Sequence, residues 1–151
     1  MSAEQPFDEG AVAELARRAK VALRKRARGV RGALTEAAAA ERSRAIVERL
    51  QELDAVKAAK TIALFDAIRA RREVDVTPLD AWARARGASV AYPSMDREAW
   101  TMTFRDPGSR DSMTDRGFGF LEPAPGAAEV GEVDVIVTPA LLVDGRGFRL
   151  A

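Results

Sequence analysis

The sequence predicts an α/β protein in which a sheet of buried strands carries helices on both faces. Short apolar runs typical of buried strands alternate with longer segments whose apolar residues recur at helical spacing. Apolar residues make up 47% of the 151 positions, which is enough for the core of one domain. The longest uncharged runs are too short to span a membrane, and the first residues lack the apolar segment of a signal peptide. We therefore expect a soluble, cytoplasmic protein.

Two helices open the predicted order of elements. Asp8 is placed to cap the first, which we expect over residues 9–33 because its apolar residues follow a mostly helical stripe. Thr35 is placed to cap the second, which we expect to run to Leu53 or beyond.

A strand and a third helix follow. The apolar run at residues 60–65 predicts a buried strand, and the charged segment 66–76 predicts a loop. Thr77 followed by Pro78 is typical of a helix start, with Thr77 as the N-cap, and Gly87 is the residue type that commonly follows a helix end.

The remaining segments predict further strands and one long connection. Residues 89–92 form an apolar strand that we expect Pro93 to end, and residues 100–104 alternate as a strand with one exposed face does. Residues 105–126 are rich in Gly, Pro, Asp and Ser and predict a long connection of a kind that is often functional. Residues 133–138 predict the last buried strand.

This alternation of helices and strands also predicts where a ligand would bind. In open α/β sheets, ligands bind beyond the carboxyl ends of the strands. We therefore expect a site at the loops that follow Phe65, Tyr92 and Thr138, with a tight turn at residues 144–147 closing the chain.

Two missing residue types exclude large classes of enzyme. The sequence has no His and no Cys, which excludes Ser-His-Asp triads, thiolate nucleophiles, disulfides and His-ligated zinc. Any chemistry must use carboxylates, Lys, Arg, hydroxyls, backbone amides or a hard metal ion bound by oxygen. The net charge of +1 is unevenly distributed: residues 1–31 carry +4 and residues 106–151 carry −4.

The first helix carries a row of basic residues. Five of them recur at three- and four-residue steps and so share one face: Arg17, Lys20, Arg24, Arg28 and Arg31. Like charges at this spacing repel one another, and a bound anion would relieve the repulsion. The pattern leaves two interpretations open, a solvated face and a phosphate-binding helix; a nucleic-acid surface is less favoured because the whole chain is barely basic.

Two further segments each allow a structural and a functional interpretation. Glu73 lies beside Arg69, Arg71 and Arg72, which indicates either a carboxylate held ionised for a ligand or a surface cluster of ion pairs; spacing alone favours the surface cluster. The phenylalanines of residues 117–120 could contact a planar ligand or anchor the long connection as a hydrophobic plug.

Residues 144–150 contain glycines but do not form a P-loop. The Lys and the Ser or Thr of that motif are absent. This segment alone therefore indicates no phosphate site.

Taken together and in order, these segments resemble the 5-formyltetrahydrofolate cyclo-ligase family, also called 5,10-methenyltetrahydrofolate synthetases. The matching stretches are Lys20 to Arg24, residues 59–65, Glu73-Val74-Asp75 with Pro78-Leu79, residues 118–123 (Phe-Gly-Phe-Leu-Glu-Pro), and residues 137–141 with Asp144, Gly147, Arg149 and Leu150. The resemblance covers the chain from about residue 15 onward.

The resemblance implies a three-layer, Rossmann-like fold and an ATP- and Mg²⁺-dependent ligase. The family closes 5-formyltetrahydrofolate to 5,10-methenyltetrahydrofolate and releases ADP and phosphate. The formyl oxygen takes the γ-phosphoryl group, N10 of the folate attacks the activated carbon, and phosphate leaves. Because the reacting nucleophiles belong to the substrate, such an enzyme needs no His or Cys. We also expect a monomer rather than an obligate oligomer, without nucleic-acid or membrane partners.

The resemblance also assigns roles to residues. The ATP contacts would be Lys20, Val21, Ala22, Leu23, Arg24, Arg149 and Leu150. The folate contacts would be Arg24, Phe65, Glu73 and Phe118. Asp144 would lie near Mg²⁺.

The sequence departs from the family pattern in two places. The family continues after Arg-Leu into a glycine-rich phosphate loop and a Tyr-Tyr-Asp-Arg segment, whereas Ala151 ends this sequence. We therefore expect one cyclo-ligase domain over residues 1–151, incomplete at the C-terminus, with a catalytically inactive remnant that binds only folate or anions as the alternative. In addition, Arg71-Arg72 replaces the Gly that the family more commonly has before Glu73.

Overall fold

A computed structural model of the chain describes residues 8–151 and confirms the α/β class. The helices are α1 (Glu9–Gly32), α2 (Glu36–Glu52), α3 (Asp54–Ala58) and α4 (Thr77–Ala85), with short 3-10 helices at Arg69–Arg71 and Arg110–Ser112. The strands are β1 (Thr61–Ala63), β2 (Ser89–Asp96), β3 (Thr101–Asp106), β4 (Thr114–Asp115), β5 (Leu121–Glu122), β6 (Ala128–Glu129), β7 (Val135–Ile136), β8 (Leu142–Val143) and β9 (Arg149–Leu150).

These elements form two compact units. Residues 34–139 form the first, which we call the sheet unit. The described part of the second comprises residues 8–33 and 140–151, and we call it the helix unit.

The sheet unit is built on a mixed sheet of strands in the order β6-β3-β2-β1-β7. β1 pairs in parallel with both β2 and β7, so the carboxyl ends of these three strands point the same way. β3 and β6 extend the sheet by antiparallel pairing, with Tyr92 opposite Arg105. The parallel part therefore matches the predicted α/β class, and an antiparallel part widens the sheet on one side.

The core of the sheet unit lies on one face of β1 and β2. Successive strand residues point to opposite faces, so Ile62 and Leu64 share a face, as do Val90 and Tyr92. These side chains pack with Val47 of α2, Val56 of α3, and Leu79 and Ala83 of α4. Burying each large apolar side chain contributes about 1.5–3 kcal/mol, so this cluster is the main source of the unit's stability.

Helix caps account for most of the predicted helix ends. The Asp8 side chain accepts the Gly10 N–H, and Thr35 Oγ1 accepts the Ala38 N–H, as the sequence predicts. The assignment of Thr77 as an N-cap was wrong. Thr77 is the first residue of α4, and its N–H bonds to Oδ1 of Asp75 at 2.9 Å, so Asp75 satisfies this helix start.

Gly87 ends α4, as predicted, in a Schellman motif. Its φ is 82°, a left-handed conformation that glycine adopts without strain. The Gly87 N–H donates to the Arg84 carbonyl and the Ala88 N–H donates to the Ala83 carbonyl, which satisfies the last carbonyls of the helix.

Pro93 does not end its strand, which corrects the expectation from sequence. β2 continues to Asp96, and Pro93 lies opposite Phe104 of β3. The Ala91 carbonyl accepts the Leu64 N–H, so Ala91 faces β1, and Pro93, two residues on, faces the same edge. Since β1 ends at Ala63, no strand there needs the N–H that proline lacks.

The long connection is more ordered than the sequence predicted. Residues 105–126 contain the end of β3, a 3-10 helix and the antiparallel pair β4-β5. The prediction of a buried strand over residues 133–138 was wrong in both length and burial. β7 spans only Val135–Ile136, where Val135 is half-buried and Ile136 is exposed, because β7 pairs with β1 alone and lies at the edge of the sheet.

The helix unit contains α1 and the antiparallel pair β8-β9. These strands are joined by the predicted turn, in which Gly147 has a φ of 85°. Among residues 8–151, no helix is both long enough and apolar enough to cross a membrane.

Candidate functional site

A cavity of about 290 Å³ lies in the sheet unit at the carboxyl ends of the parallel strands. Phe65 lines it after β1, Pro93 lines it from β2, and Thr138 lines it after β7. These are the places at which the sequence predicts a ligand. The position arises because three parallel strands end on one side while helices cover the core beside them.

The walls of the cavity are apolar and partly aromatic. Met102 and Phe104 alternate with exposed or polar neighbours along β3 and therefore point to the same side. Phe120 contributes a third ring beside Phe65 and Phe104, and Asp66 and Glu73 are the acidic residues of the lining. Such a surface suits a flat organic ligand with a polar edge.

Glu73 reaches this cavity from a tightly folded loop. Its Oε2 accepts the Ile68 N–H at 2.9 Å, which fixes the side chain against its own loop. Arg72, the residue before it, adopts a left-handed conformation with a φ of 53°. A left-handed backbone conformation of this kind favours glycine.

The arginines near Glu73 bind other carboxylates. Arg72 Nη1 donates to Oε1 of Glu36 at 2.8 Å, and Arg69 Nη2 lies 3.9 Å from Oδ2 of Asp75. At least one side chain of each ion pair is largely exposed to solvent, so each pair contributes little to stability. The ion-pair cluster that spacing favoured is therefore present, but these two pairs bypass Glu73.

Asp66 ties three segments together at the cavity. Its Oδ2 accepts the Leu121 N–H at 2.7 Å, which fixes the backbone beside Phe120. Its Oδ1 accepts a hydrogen bond from Arg110, whose Nη1 also lies 3.5 Å from the Tyr92 hydroxyl. Asp66 therefore positions one aromatic wall of the cavity.

The Tyr92 hydroxyl continues this network into the core. It donates to Oδ2 of Asp80 at 2.7 Å, and Oδ1 of Asp80 accepts from Arg84. Burial, reinforced by the Asp80 hydrogen bond, raises the pKa of Tyr92, so the hydroxyl remains a donor at neutral pH. The network thereby joins α4 to the segment that carries Arg110.

Phe118 lies outside the set of residues that line this cavity. Its ring stacks on Phe120 with centroids 5.5 Å apart, and Arg97 lies 4.3 Å above it. Phe120, to which the resemblance assigned no folate contact, is the ring of this pair that lines the cavity. Phe118 supports it from behind.

The residues predicted to contact ATP lie in the helix unit. Lys20 and Arg24 are one turn apart on α1, and Arg24 Nε donates to the Ala151 carbonyl at 2.7 Å. The structure thus brings Arg24 to the residue that follows Arg149 and Leu150. Val21, Ala22 and Leu23 are exposed on the same helix.

Arg17, a member of the basic row on α1, has an acidic partner. Both oxygens of Glu14 accept hydrogen bonds from Arg17, and Glu14 also bonds Arg18. The hydrogen bonds from Arg17, which have the larger effect, and from Arg18 lower the pKa of Glu14. Local ion pairing therefore offsets part of the repulsion expected from sequence.

The structure places Asp144 in a role within its own turn. Its Oδ1 accepts the N–H groups of Arg146 and Phe148, each at 2.9 Å, and Oδ2 lies 3.8 Å from Arg146 Nε. Within the described range 8–151, no three His, Cys, Asp or Glu side chains are grouped to hold a metal ion. Among these residues, Asp144 therefore has no cluster of further acidic side chains with which to hold Mg²⁺.

Several lining residues had signals that sequence reasoning did not use. Asp66 directly follows Phe65 at a strand end, where ligand-binding side chains concentrate. Met102 and Phe104 form the apolar face of an alternating strand and could have been placed over the same edge. The choice of Phe120 over Phe118 depends on the β4-β5 pairing, which the sequence did not predict.

Comparisons with known proteins agree on one family. The model of the 5-formyltetrahydrofolate cyclo-ligase family matches residues 16–151. The NMR structure of 5,10-methenyltetrahydrofolate synthetase from Aquifex aeolicus is similar, with 27% identity and a TM-score of 0.75 over 87% of this chain and 66% of that chain. No match was found among curated proteins.

A second solved structure supports the fold. The 5,10-methenyltetrahydrofolate synthetase from Mycoplasma pneumoniae has 21% identity and a TM-score of 0.64, over 87% of this chain and 70% of that chain. The chain thus spans 66% and 70% of the lengths of these two structures.

Proposed function

The chain belongs to the 5-formyltetrahydrofolate cyclo-ligase family, and from that premise we propose that it closes 5-formyltetrahydrofolate to 5,10-methenyltetrahydrofolate at the expense of ATP. The observation that carries the proposal is the aromatic cavity at the carboxyl ends of β1, β2 and β7. Its shape and lining suit a bicyclic pterin, whose faces are apolar and whose edge carries hydrogen-bonding groups.

We assign the folate to this cavity. Phe65 and Phe120 line it and would pack on the ring faces, and Phe118 would hold Phe120 in place. Glu73 lines it beside them and would accept hydrogen bonds from the pterin edge. A carboxylate that is already fixed by the Ile68 N–H loses little conformational freedom when it binds.

We assign the ATP phosphates to the basic residues of the helix unit. Lys20 and Arg24 share a face of α1 and would contact the phosphates together. The other proposed ATP contacts are Val21, Ala22 and Leu23 on the same helix, and Arg149 and Leu150, which directly precede Ala151, the residue that Arg24 contacts. Arg24 would also approach the folate. Mg²⁺ would enter as Mg-ATP, since the described residues offer no cluster to hold it.

In the proposed reaction the chain supplies positions and charge, and the substrates supply the reacting atoms. The formyl oxygen attacks the γ-phosphorus and ADP leaves. N10 then attacks the formyl carbon and loses its proton to water, and phosphate leaves as the methenyl bridge forms. The cationic groups would stabilise the charge that develops on the transferred phosphoryl group. We further propose that the chain acts as a cytoplasmic monomer without nucleic-acid or membrane partners.

The test is turnover by the purified chain. With 5-formyltetrahydrofolate, Mg²⁺ and ATP, we expect methenyltetrahydrofolate absorbance to rise in step with ADP release. Lys20→Ala should raise KM for ATP, because a phosphate contact is lost, while Lys25→Ala on the same helix should leave it unchanged.

A thermal unfolding measurement beside the turnover assay identifies the alternative, a catalytically inactive remnant. Heat stabilisation by 5-formyltetrahydrofolate without ADP release would identify a folate-binding remnant and contradict the proposed activity. Absence of both effects would contradict the assignment of the folate to this cavity.

A further inference from the structure

A second cavity, of about 400 Å³, opens on the other face of the β2-β3 hairpin. Met102 and Phe104 point into the first cavity, whereas Thr103 lines the second together with Arg105. Because successive strand residues point to opposite faces, the hairpin itself separates the two cavities. The second cavity is therefore distinct from the proposed folate site.

Two arginines line this second cavity, and each donates to a backbone carbonyl. Arg97 Nη2 donates to the backbone carbonyl of Arg116. Arg116 Nη1 donates in return to the Met95 carbonyl at 3.2 Å. Each guanidinium is thus fixed by a backbone carbonyl of the strand or loop opposite it, and both line the same space.

Among the described residues, neither guanidinium forms a salt bridge, although each acts at longer range on a carboxylate. After backbone hydrogen bonds, the charge of Arg97 helps to lower the pKa of Asp115, and that of Arg116 helps to lower the pKa of Asp96. In the part of the chain that the structure describes, the polar contacts of Arg97 and Arg116 are these carbonyl bonds, with no ion pair within 4.0 Å. A guanidinium has five N–H donors, so each keeps unused donors and its full positive charge. Arg105 in the same cavity differs, because its Nη2 bonds Oε2 of Glu129 at 3.1 Å.

Packing fixes Arg97 where it is. Its guanidinium lies 4.3 Å over the Phe118 ring, a favourable cation–π distance. It also lies against Gly117, where an added Cβ would come 3.1 Å from Arg97 Nη2. The φ of Gly117 is +98°, a conformation that residues with a side chain rarely adopt. Both this backbone conformation and the close approach of Arg97 therefore favour glycine at this position.

The remaining groups of the cavity are polar. Ser94 and Thr103 contribute hydroxyls, and Asp96 and Glu98 contribute the two acidic side chains. Oδ1 of Asp96 is already occupied by the N–H groups of Glu98 and Ala99 at 2.9 and 3.0 Å, where it closes the hairpin turn. Two guanidiniums that form no ion pair within 4.0 Å among the described residues therefore share a polar space with the carboxylates of Asp96 and Glu98.

We propose that this cavity binds a small phosphate-bearing anion between Arg97 and Arg116. Guanidinium forks match phosphate oxygens in geometry and charge, and two fixed forks lose little entropy on binding. Its lining residues belong to the sheet unit, whereas the proposed ATP contacts on α1 belong to the helix unit.

The experiment is an NMR titration of the full chain with inorganic phosphate at constant ionic strength. We expect saturable shifts of the Met95, Arg97 and Gly117 amides. Replacing both arginines (Arg97→Gln with Arg116→Gln) should weaken phosphate binding by about tenfold or more, as expected when two charged hydrogen bonds are lost. Lys20→Ala with Arg24→Ala should leave these shifts unchanged, which separates this site from the ATP proposal.

Two further variants keep the test independent of folding defects. Gly117→Ala displaces Arg97 without removing charge and should weaken binding, while Arg44→Gln on α2 removes the same charge elsewhere and should not. Repeating the titration with a phosphate monoester distinguishes free phosphate from a phosphorylated metabolite as the preferred ligand. Equal phosphate shifts in the wild type and the Arg97→Gln variant, or equal shifts with chloride, would overturn the proposal.

Discussion

The sheet unit and the helix unit differ in how completely they bury their apolar residues. Ile62, Leu79 and Tyr92 of the sheet unit are fully buried. The helix α1 contains no buried residue, and Leu15 and Val30 are 66% and 63% exposed. The predicted folate contacts Phe65 and Glu73 thus belong to a unit with its own core, and the predicted ATP contacts on α1 do not.

Because of this difference, the two proposed ligands would bind to sites that are preorganised to different degrees. The folate cavity is bounded by paired strands and by the hydrogen bonds of Asp66 and Glu73, so its walls are set before a ligand arrives. The side chains of α1 that would bind ATP are largely exposed and must be ordered on binding, which costs free energy.

The largest expected effect compares apolar truncations in the two units. Ile62→Ala should lower the free energy of unfolding by about 2–5 kcal/mol, because it opens a cavity in a closed core. Leu15→Ala, at an exposed position, should change it by less than about 1 kcal/mol. Urea unfolding measures both, and similar losses for the two variants would contradict the division into units of unequal packing.

The next effect concerns the ion pair that holds one wall of the cavity. The Asp66 side chain is only 6% exposed. Asp66→Ala would leave the partly buried Arg110 without this partner and should lower the free energy of unfolding by about 2–4 kcal/mol. Asp54→Ala, which removes an exposed carboxylate 3.9 Å from Lys57, should cost less than about 0.5 kcal/mol. Equal costs in thermal or urea unfolding would show that the Asp66 network does not stabilise the cavity.

A smaller effect is expected in acid, and it should come from the sheet unit. Burial raises the pKa of Asp106, but hydrogen bonds from Gly108, Ser89 and Arg84 outweigh it and hold the pKa below its ordinary value. A lowered folded-state pKa gives stability that is present above the unfolded value of about 3.9 and is lost as the pH falls through the folded one. Asp106→Asn should therefore flatten the loss of stability below about pH 4.

The helix unit supplies the control for this acid effect. Glu14 also has a lowered pKa, from its bonds to Arg17 and Arg18, but it is exposed on α1. Glu14→Gln should leave the global unfolding profile against pH as it is in the wild type. A flatter profile for Glu14→Gln than for Asp106→Asn would reverse the comparison.

The smallest effect concerns the loop that carries Glu73. Arg72→Gly relieves a left-handed backbone that costs a non-glycine residue about 1 kcal/mol, and it removes an exposed bond to Glu36. We expect a gain of up to about 1 kcal/mol, measured as a rise in Tm. Arg71→Gly, within the preceding 3-10 helix, should lower Tm, and a fall for both variants would contradict the strain argument.

The parts of the fold that could be predicted from sequence are those that local chemistry determines. The Asp8 and Thr35 caps and the Gly87 helix end depend on residues only a few positions apart. The continuation of β2 through Pro93 could not be predicted in this way, because it depends on where the neighbouring strand, β1, ends.

The same division holds for the candidate site. Phe65 and Glu73 were predicted from the resemblance and do line one cavity. The side chain of Asp66 could not be placed because its partners, Arg110 and the Leu121 N–H, are distant in the chain. Sequence order alone also could not decide which ring of the stacked pair Phe118 and Phe120 faces the ligand.

The central claim is that the sheet unit's cavity binds the folate, and calorimetric titration of 5-formyltetrahydrofolate into the full chain without nucleotide tests it most directly. We predict one bound folate per chain and an affinity lowered about tenfold by Glu73→Gln, since a charged hydrogen bond is lost. Glu48→Gln, at an exposed site on α2, should bind as the wild type does. Equal affinity in all three proteins, or no binding by the wild type, would contradict the claim.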